Sequence, residues 1–513
     1  MNRQLWELYK NSDRGKEVIA SFLPKVSDDF LNVEKLFSTY ESNIEKDYQK
    51  LTEQFWLTGL NEEFNHFLPQ QVTTIDEMFE HCIENFELLV YFESETNEGE
   101  WERYGDPLIK KRDYRSLSAF MNVLSTFLYF NYPAFFKPIL HHERFDKIIN
   151  YCDALGIQLP EIPLRGEMEK RLFYYVGLCK EFNGFQKEYN LSDAEFCACL
   201  YDFAQMLIGE NESIRELPEP TNVWLTGANK DDFKILESAD KMSSHYWACH
   251  EDTKPGDIVI IYCLAPHSKI HSVWRAKTNA VISPFSYYYS MIVVTQGIKV
   301  SPIAIQELKE DSYFSQLPIV KKNLQGINGV RLSAMDYEQF LGMLKKRGFN
   351  VDKLPKLYRS QIIIEQDLKD EKSVEEKLLI PLLAELGFKD KDWSRQVTQK
   401  AGRGLKAIPD FVFFPKGESH FQNSPFIIEA KWYMNSANER MKSFKQAYSY
   451  ARMMQSRIFG LCDKERLVIF QVNSAGFFDL YNPVFEKHWG NLKDPDVFAS
   501  LKNLIGAEVI SKM

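Results

Sequence analysis

The sequence lacks several features that would place it in large classes of proteins. No apolar run is long enough to span a bilayer, and the N-terminus has no apolar segment of the signal-peptide kind. These two absences predict a cytoplasmic protein with no membrane partner. No Gly-x-x-x-x-Gly-Lys-Ser/Thr phosphate loop occurs, so no nucleotide cofactor and no nucleotide-driven motor is expected.

Metal-binding cysteine and histidine patterns are also missing. The eight cysteines are scattered, and their closest pair is Cys197-Ala198-Cys199. Without a Cys-x-x-Cys spacing, the sequence predicts buried, reduced thiols. His141 and His142 are expected to be an exposed or capping pair, because no third ligand accompanies them.

Positive charge is in deficit, with a formal net charge of −10 at pH 7. This balance weighs against nucleic-acid binding, which needs Lys and Arg, although local patches decide. Residues 393–409 contain no acidic side chain and two glycines, and we interpret them as a basic loop that holds a DNA backbone. The alternative is a solvated face. The basic residues of this loop are Arg395, Lys400, Arg403 and Lys406.

Two short apolar runs stand out in the C-terminal third. Pro409-Asp410 precedes the first run, 411–414, and the second run, 426–428, leads into Glu429-Ala430-Lys431. Each run is typical of a buried strand, and pairing them as a hairpin brings Asp410 near Glu429 and Lys431. Side chains alternate along a strand, so Glu429 and Lys431 share a face while Ala430 points into the core.

This set of side chains is suited to metal-dependent phosphodiester hydrolysis. The carboxylates of Asp410 and Glu429 are oxygen ligands for a hard divalent cation. The ammonium of Lys431 would orient or help to deprotonate an attacking water and offset charge on a phosphate. The alternative is a surface hairpin with an ordinary Glu/Lys pair, because three residues alone form a loose pattern.

Flanking helices extend the pattern. Residues 373–387 have helical apolar spacing and end at a glycine. Of the adjacent Glu375 and Glu376, only one can face the site, and Glu375 is favoured because it shares a side with the apolar residues. Downstream, Gln446 and Tyr450 lie one helical turn apart.

Taken in this order, the residues from about 371 onward resemble a PD-(D/E)xK nuclease domain, most closely the nuclease module of type I restriction endonuclease subunits. The resemblance implies that Asp410 and Glu429 bind Mg²⁺, with Mn²⁺ as a substitute, and that Lys431 serves the attacking water. It also implies that Glu375 completes the acidic set and that Gln446 and Tyr450 lie beside the scissile strand. The missing phosphate loop departs from those subunits, in which the nuclease is fused to a motor.

The chain before the nuclease divides into two regions. Residues 1–215 are predicted to be mostly helical, in stretches such as 79–92 and 114–136 with aromatic cores. Residues 222–300 have strand patterns, including 258–262 after a Pro-Gly-Asp turn, and a helix is predicted at 335–348. These strands predict a small curved β-barrel.

The strand pattern of this middle region resembles the EVE group of PUA-like domains. Such domains are associated with modified bases received in an aromatic-lined pocket, and stacking on aromatic rings suits a flipped base. The resemblance implies a pocket, although core packing is the alternative for each of its residues. The pocket candidates are Trp224, Asn229, Trp247 and Tyr262.

The predicted fold is therefore an α+β multidomain protein. It comprises a helical region 1–215, a PUA-like β-barrel domain 220–350, a linker 351–370 and an α/β nuclease domain 371–513. The predicted function is a Mg²⁺-dependent DNA endonuclease of restriction or antiviral defence that senses base modification, with a homo-oligomer suited to cutting both strands. Two alternatives stay open: a non-cleaving nucleic-acid sensor that recruits an effector, and a nuclease acting on RNA or repair intermediates.

Overall fold

The chain is described from a computed structural model that divides into two compact units. The first unit comprises 1–217, 244–255 and 277–294, and the second comprises 218–243, 256–276 and 295–513. The boundary falls inside the region predicted as one PUA-like domain. The predicted helix 79–92, most of 114–136, His142 and Arg403 lie outside the described residues. The structure describes residues 1–23, 125–126, 128–129, 132–141, 144–163, 174–212, 217–238, 243–364, 367–400, 406–434 and 436–513.

The first unit is mainly helical. A capping box between Ser192 and Glu195 begins the α5 helix, which continues through a π-helical turn at Cys199–Phe203. The core is rich in buried tyrosines whose hydroxyls are satisfied, as where Tyr175 donates to the carbonyl of Lys137 at 2.9 Å. The helices of this unit are α1 Arg3–Asn11, α2 Asp13–Ser21, α3 Phe145–Leu155, α4 Tyr174–Tyr189, α5 Asp193–Ala198 and α6 Ala204–Glu212.

Two predictions about single residues are decided here. His141 is buried between the rings of Tyr151 and Tyr201, so the expectation that it is exposed is wrong. Burial lowers the pKa of His141 to about 3, because the apolar surroundings disfavour the charged imidazolium. The cysteines of the described residues are free and buried, as predicted.

The middle of the chain carries strands that belong to both units. In the first unit, β2 and β5 pair antiparallel with the N-terminal part of β6, which then runs on into the second unit. The strands are β1 Val223–Ala228, β2 His245–Cys249, β3 Ile258–Cys263, β4 Lys269–Ala276, β5 Val281–Ser283, β6 Ser286–Ala304 and β7 Asn328–Leu332.

Within the second unit these strands form a curled sheet in the order β6-β4-β3-β1-β7. β1 and β3 are parallel, and the β3–β4 and β1–β7 pairs are antiparallel. The predicted turn before β3 is present: Gly256 has a φ of +91°, and a Cβ there would lie 2.3 Å from the Pro218 carbonyl oxygen. The curvature predicted for these strands is present as a half-barrel, and the order of the described strands does not return on itself to close a full barrel. The accompanying helices are α7 Lys230–Ser238, α8 Ile305–Glu310, α9 Pro318–Lys321 and α10 Ala334–Lys346.

The C-terminal part of the second unit contains a second sheet in the order β15-β14-β13-β12-β11-β8. Its strands are antiparallel except for β12 and β13, which are parallel and connected through a helix. The strands of this sheet are β8 Trp393–Arg395, β11 Phe411–Phe413, β12 Phe426–Ala430, β13 Ile458–Cys462, β14 Arg466–Gln471 and β15 Phe485–His488. A separate two-stranded sheet consists of β9 Gln399–Lys400 and β10 Lys406–Ala407. The helices are α11 Glu371–Val374, α12 Ile380–Glu385, α13 Ala437–Met453, α14 Pro495–Ile505 and α15 Ala507–Ile510.

Helices cover both faces of this sheet, which explains the continuous apolar runs. Phe411 and Ile428 pack with α11, α12 and α14, whereas Val412 and Ile427 pack with α13 on the other face. Ile362, within the predicted linker 351–370, is also buried in the first of these cores. Among the described residues, no helix combines the length and the apolar character that crossing a membrane would need.

Candidate active site

A continuous helical segment supplies the first acidic residues of the site. Asp370 caps its start by accepting from the amide of Ser373 at 2.8 Å, and Gly387 ends it with a φ of +90°. Between α11 and α12, residues 375–379 form a π-helical turn, a feature frequent at functional sites. Glu371 and Glu375 are four residues apart on this segment and therefore project from the same side.

The predicted hairpin supplies the next two carboxylates and is confirmed as an antiparallel pair of β11 and β12. The amide of Asp410 donates to Oε1 of Glu429 at 3.0 Å, and Oδ2 of Asp410 accepts from the amide of Ala430 at 2.9 Å. Each carboxylate is thus fixed by the backbone of the other strand. Ala430 is buried in the core, as the strand alternation predicted.

Lys431 lies among these carboxylates. Its Nζ is 3.3 Å from Oε2 of Glu429, 3.8 Å from Oδ2 of Asp410 and 3.9 Å from Oε1 of Glu371. It also donates to the carbonyl of Ala430 at 2.8 Å. The hairpin therefore brings together the carboxylates and the ammonium that the sequence predicted to be neighbours.

Three carboxylates converge closely enough to share a cation. One oxygen from each of Glu371, Glu375 and Asp410 lies within 4.8 Å of the others. An all-oxygen donor set suits a hard ion such as Mg²⁺ or Mn²⁺, so the residues fit the implied metal. Glu429 adjoins the cluster through its bond to the Asp410 amide.

Glu371 was not among the predicted site residues. The signal was available in the sequence, because Glu371 precedes Glu375 by one helical turn and would share its face.

Burial and mutual repulsion favour the protonated forms of these acids. Burial, reinforced by the Asp410 carboxylate, raises the pKa of Glu429 to about 8. Burial also raises the pKa values of Glu371 and Glu375. Burial alone would lower the pKa of Lys431, but the surrounding carboxylates outweigh it and raise that pKa. The crowding of like charges is what a bound divalent cation would relieve.

The choice between Glu375 and Glu376 agrees with the geometry. Glu375 is 6% exposed and belongs to the carboxylate cluster. Glu376 is exposed and lies 3.7 Å from Lys372 in a surface ion pair. Glu375 also forms an ion pair with Arg395, whose predicted place was a DNA-binding loop.

The loop predicted at 393–409 is partly regular structure, which corrects that expectation. Arg395 ends β8, which pairs with β11, and Lys400 and Lys406 lie on the paired strands β9 and β10. Trp393 draws this segment into the fold by packing on Phe411, with ring centres 5.3 Å apart. Lys400 and Lys406 are exposed, and Nζ of Lys400 lies 5.8 Å from the ring centre of Phe421, which is 62% exposed.

Gln446 and Tyr450 lie one turn apart on α13, as predicted, and Nε2 of Gln446 donates to the Tyr450 hydroxyl at 3.2 Å. A capping box between Ser436 and Glu439 begins this helix. By strand alternation Glu429 points toward the α13 face of the sheet, as Ile427 does. Gln446, Tyr450 and Glu429 are therefore on the same face.

The predicted base-pocket residues have structural roles. Trp224 is 2% exposed, and its indole N–H donates to Oδ2 of Asp257 at 2.9 Å. Tyr262 lies in the core of the second unit, and Trp247 is buried in the first. Asn229 accepts from the amides of residues 231 and 232 at the start of α7. These placements favour the alternative of core and capping roles.

Comparison with known proteins does not assign a family. No family model and no curated protein matches the chain. Among solved structures, the chain is similar to Rpa0253 from Rhodopseudomonas palustris, determined by NMR, at 11% identity. The match covers 24% of this chain and 94% of that protein with a TM-score of 0.21, a level of likeness on which no argument rests.

Proposed function

We propose that the chain is a metal-dependent nuclease of the PD-(D/E)xK type that hydrolyses DNA phosphodiester bonds. The observation that carries the proposal is the convergence of Lys431 with Glu371, Asp410 and Glu429 at the open end of the β11–β12 hairpin. A structural ion pair needs one acid for one base. Three acids around a single lysine, of which Glu429 is buried and the other two are partly exposed, leave negative charge that a divalent cation would balance.

Each residue has a role in this proposal. Mg²⁺ would be held by oxygens of Glu371 and Asp410, which lie within 4.8 Å of each other, and of Glu429 on the neighbouring strand, and Mn²⁺ would substitute. Glu375, the third carboxylate of that cluster, is already paired with Arg395. The bound ion would supply positive charge that stabilises the phosphate in the transition state. Lys431, within 4 Å of the same oxygens, orients the attacking water and offsets developing charge. Gln446 and Tyr450 brace the site from α13.

The exposed basic segment beside the hairpin supports nucleic acid as the substrate. Lys400 and Lys406 lie on β9 and β10, which lead directly to Asp410. Exposed Phe421 beside Lys400 adds an aromatic ring next to positive charge, a combination that suits base stacking and phosphate contact. The resemblance to the nuclease module of restriction endonuclease subunits further supports a role in restriction or antiviral defence, which we propose to take place in the cytoplasm.

To test for metal-dependent cleavage directly, the full-length protein is incubated with supercoiled plasmid in Mg²⁺, in Mn²⁺ and in EDTA. Nicked or linear product in either metal and none in EDTA is the expected result. Intact plasmid in all three, together with intact branched and single-stranded DNA and RNA, would contradict the proposal. Cleavage confined to RNA or branched DNA would reassign the substrate.

The modification-sensing part of the prediction needs a separate comparison. Plasmids carrying methylcytosine or hydroxymethylcytosine are compared with unmodified plasmid at equal concentrations. Dependence of the rate on a mark would support base sensing. Equal rates would leave a nuclease without it, in keeping with the core positions of Trp224 and Tyr262.

A further inference from the structure

Arg395 reaches the carboxylate cluster from the strand beside the hairpin. β8 pairs with β11 so that Arg395 lies opposite Phe411, the residue after Asp410. Its guanidinium lies 5.4 Å from the centre of the Phe411 ring and forms an ion pair with Glu375. The Glu375 side chain is 8% exposed and the Arg395 side chain 35%. The guanidinium is thus held between an aromatic face and a buried acid.

The formal charges around the cluster are uneven. When all four carboxylates are ionised, as binding of a cation would require, Glu371, Glu375, Asp410 and Glu429 contribute four negative charges, and Lys431 and Arg395 contribute two positive ones. The difference, four minus two, is two negative charges. One divalent cation would neutralise it, whereas a second ion would leave the site with an excess of two positive charges.

We propose that the positive charge of Arg395 neutralises the negative charge of Glu375, so that the site binds a single divalent ion. This inference rests on the proposed nuclease function and assigns its metal stoichiometry. Arg395 is a positioning residue here and does not contact the DNA phosphates. Arginine suits the role, because its planar guanidinium stays charged and stacks on an aromatic face while it pairs with a carboxylate.

A phosphate contact through the guanidinium nitrogen that pairs with Glu375 would require Arg395 to leave that carboxylate. The vacated carboxylate is buried, and a buried charge left without its partner is strongly destabilising. Lys400 meets no such penalty, because it is exposed beside Phe421 and its own side chain faces solvent. The two basic residues therefore have different roles: Arg395 balances the negative charge of Glu375, and Lys400 contacts the substrate.

Titration calorimetry of the full-length protein with MnCl₂, without nucleic acid, tests the inference. Wild-type protein should bind one Mn²⁺. Glu375→Gln should weaken binding by about tenfold or more, because the guanidinium is left uncompensated beside the ion. Arg395→Gln should tighten it by a similar factor. The double variant E375Q/R395Q should return to within about threefold of wild type, because it removes a neutral pair.

The matched control is Arg440→Gln. Arg440 forms a similar pair with Glu486, with bonds of 2.7 and 2.8 Å, but Glu486 lies on β15 at the far edge of the same sheet. This variant should bind Mn²⁺ as wild type does. Because the double variant leaves no unpaired buried charge, it should fold even where a single variant is too unstable to titrate, and its affinity compared with wild type then decides the question.

Two results would overturn the inference while leaving the nuclease proposal standing. One is wild-type stoichiometry of two ions. The other is a double variant that binds as weakly as E375Q, which would make Glu375 an ion ligand in its own right. Absence of Mn²⁺ binding by wild-type protein would instead contradict the proposed function itself.

Discussion

Asp410 and Glu429 hold each other in place across the β11–β12 hairpin. The Asp410 amide donates to the Glu429 carboxylate at 3.0 Å, and the Asp410 carboxylate accepts from the amide that follows Glu429 at 2.9 Å. This reciprocal arrangement fixes two acids without help from a flexible side chain. It is the rigid part of the proposed site, and the helical acids and Lys431 gather around it.

Glu371 should be needed for metal binding, and Glu376 should not. Glu371→Gln removes the negative charge of one carboxylate from the cluster, so Mn²⁺ affinity should fall by about tenfold or more and the cleavage rate should fall with it. Glu376→Gln, five residues along the same helical segment, alters only a surface pair and is the matched control. Calorimetry and plasmid nicking measure the two effects. Equal behaviour of the two variants would contradict the assignment of Glu371.

The free energy of unfolding should vary with pH because the Glu429 carboxyl group titrates. The pKa of Glu429 is about 8 in the folded protein, whereas the ordinary value for the unfolded chain is near 4.5. Between these two pH values the folded protein keeps a proton that the unfolded chain has lost. The stabilising contribution of that proton is therefore lost as the pH rises from about 5 to 8 in EDTA. Glu429→Gln cannot titrate, so its stability relative to wild type should increase over this window by roughly 1–3 kcal/mol.

Chemical denaturation of both proteins at pH 5.5 and pH 8 measures this difference. The comparison with wild type cancels the contributions of other titrating groups, such as His141, whose lowered pKa acts below pH 6.5. If the free energies of unfolding of wild type and Glu429→Gln differ by the same amount at both pH values, Glu429 does not keep its proton in the folded protein.

Lys400 should contribute one phosphate contact. Lys400→Gln should reduce the slope of log affinity against log salt by roughly one and weaken DNA binding at low salt. Arg395→Gln should leave this slope unchanged. Fluorescence anisotropy in Ca²⁺, over a range of salt concentrations, measures it. Exposed Lys493, which follows β15, provides the control Lys493→Gln, and a slope lowered equally by that variant would contradict a local contact.

Trp224 should behave as a core residue. Trp224→Phe removes the N–H that pairs with buried Asp257, so the protein should lose about 1–3 kcal/mol of stability. Thermal melting measures the loss. Unchanged stability, combined with weaker binding to modified DNA, would favour the base pocket that the resemblance implies.

Local patterns predicted much of the site. The apolar runs 411–414 and 426–428 predict both strands, and the polar segment between them favours their antiparallel pairing. That pairing places Asp410, Glu429 and Lys431 together. The spacing of Gln446 and Tyr450 likewise follows from helical periodicity alone.

The remaining features depend on contacts between distant segments. Arg395 meets Glu375 only because β8 joins the edge of the sheet beside β11, a pairing that no local pattern marks. His141 is enclosed by aromatic rings from residues 151 and 201. The half-barrel depends on which strands become edges, and apolar strand patterns do not encode that choice.

The most direct test of the proposed nuclease uses Lys431→Ala in a plasmid cleavage assay with Mg²⁺. Lys442→Ala, an exposed lysine on α13, is the matched control. The nuclease account predicts that Lys431→Ala loses cleavage by a factor of at least about 10² while DNA binding and folding persist, because Lys431 acts on the attacking water. Lys442→Ala should cut as wild type does. Mg²⁺-dependent cleavage by Lys431→Ala at the wild-type rate would contradict the account.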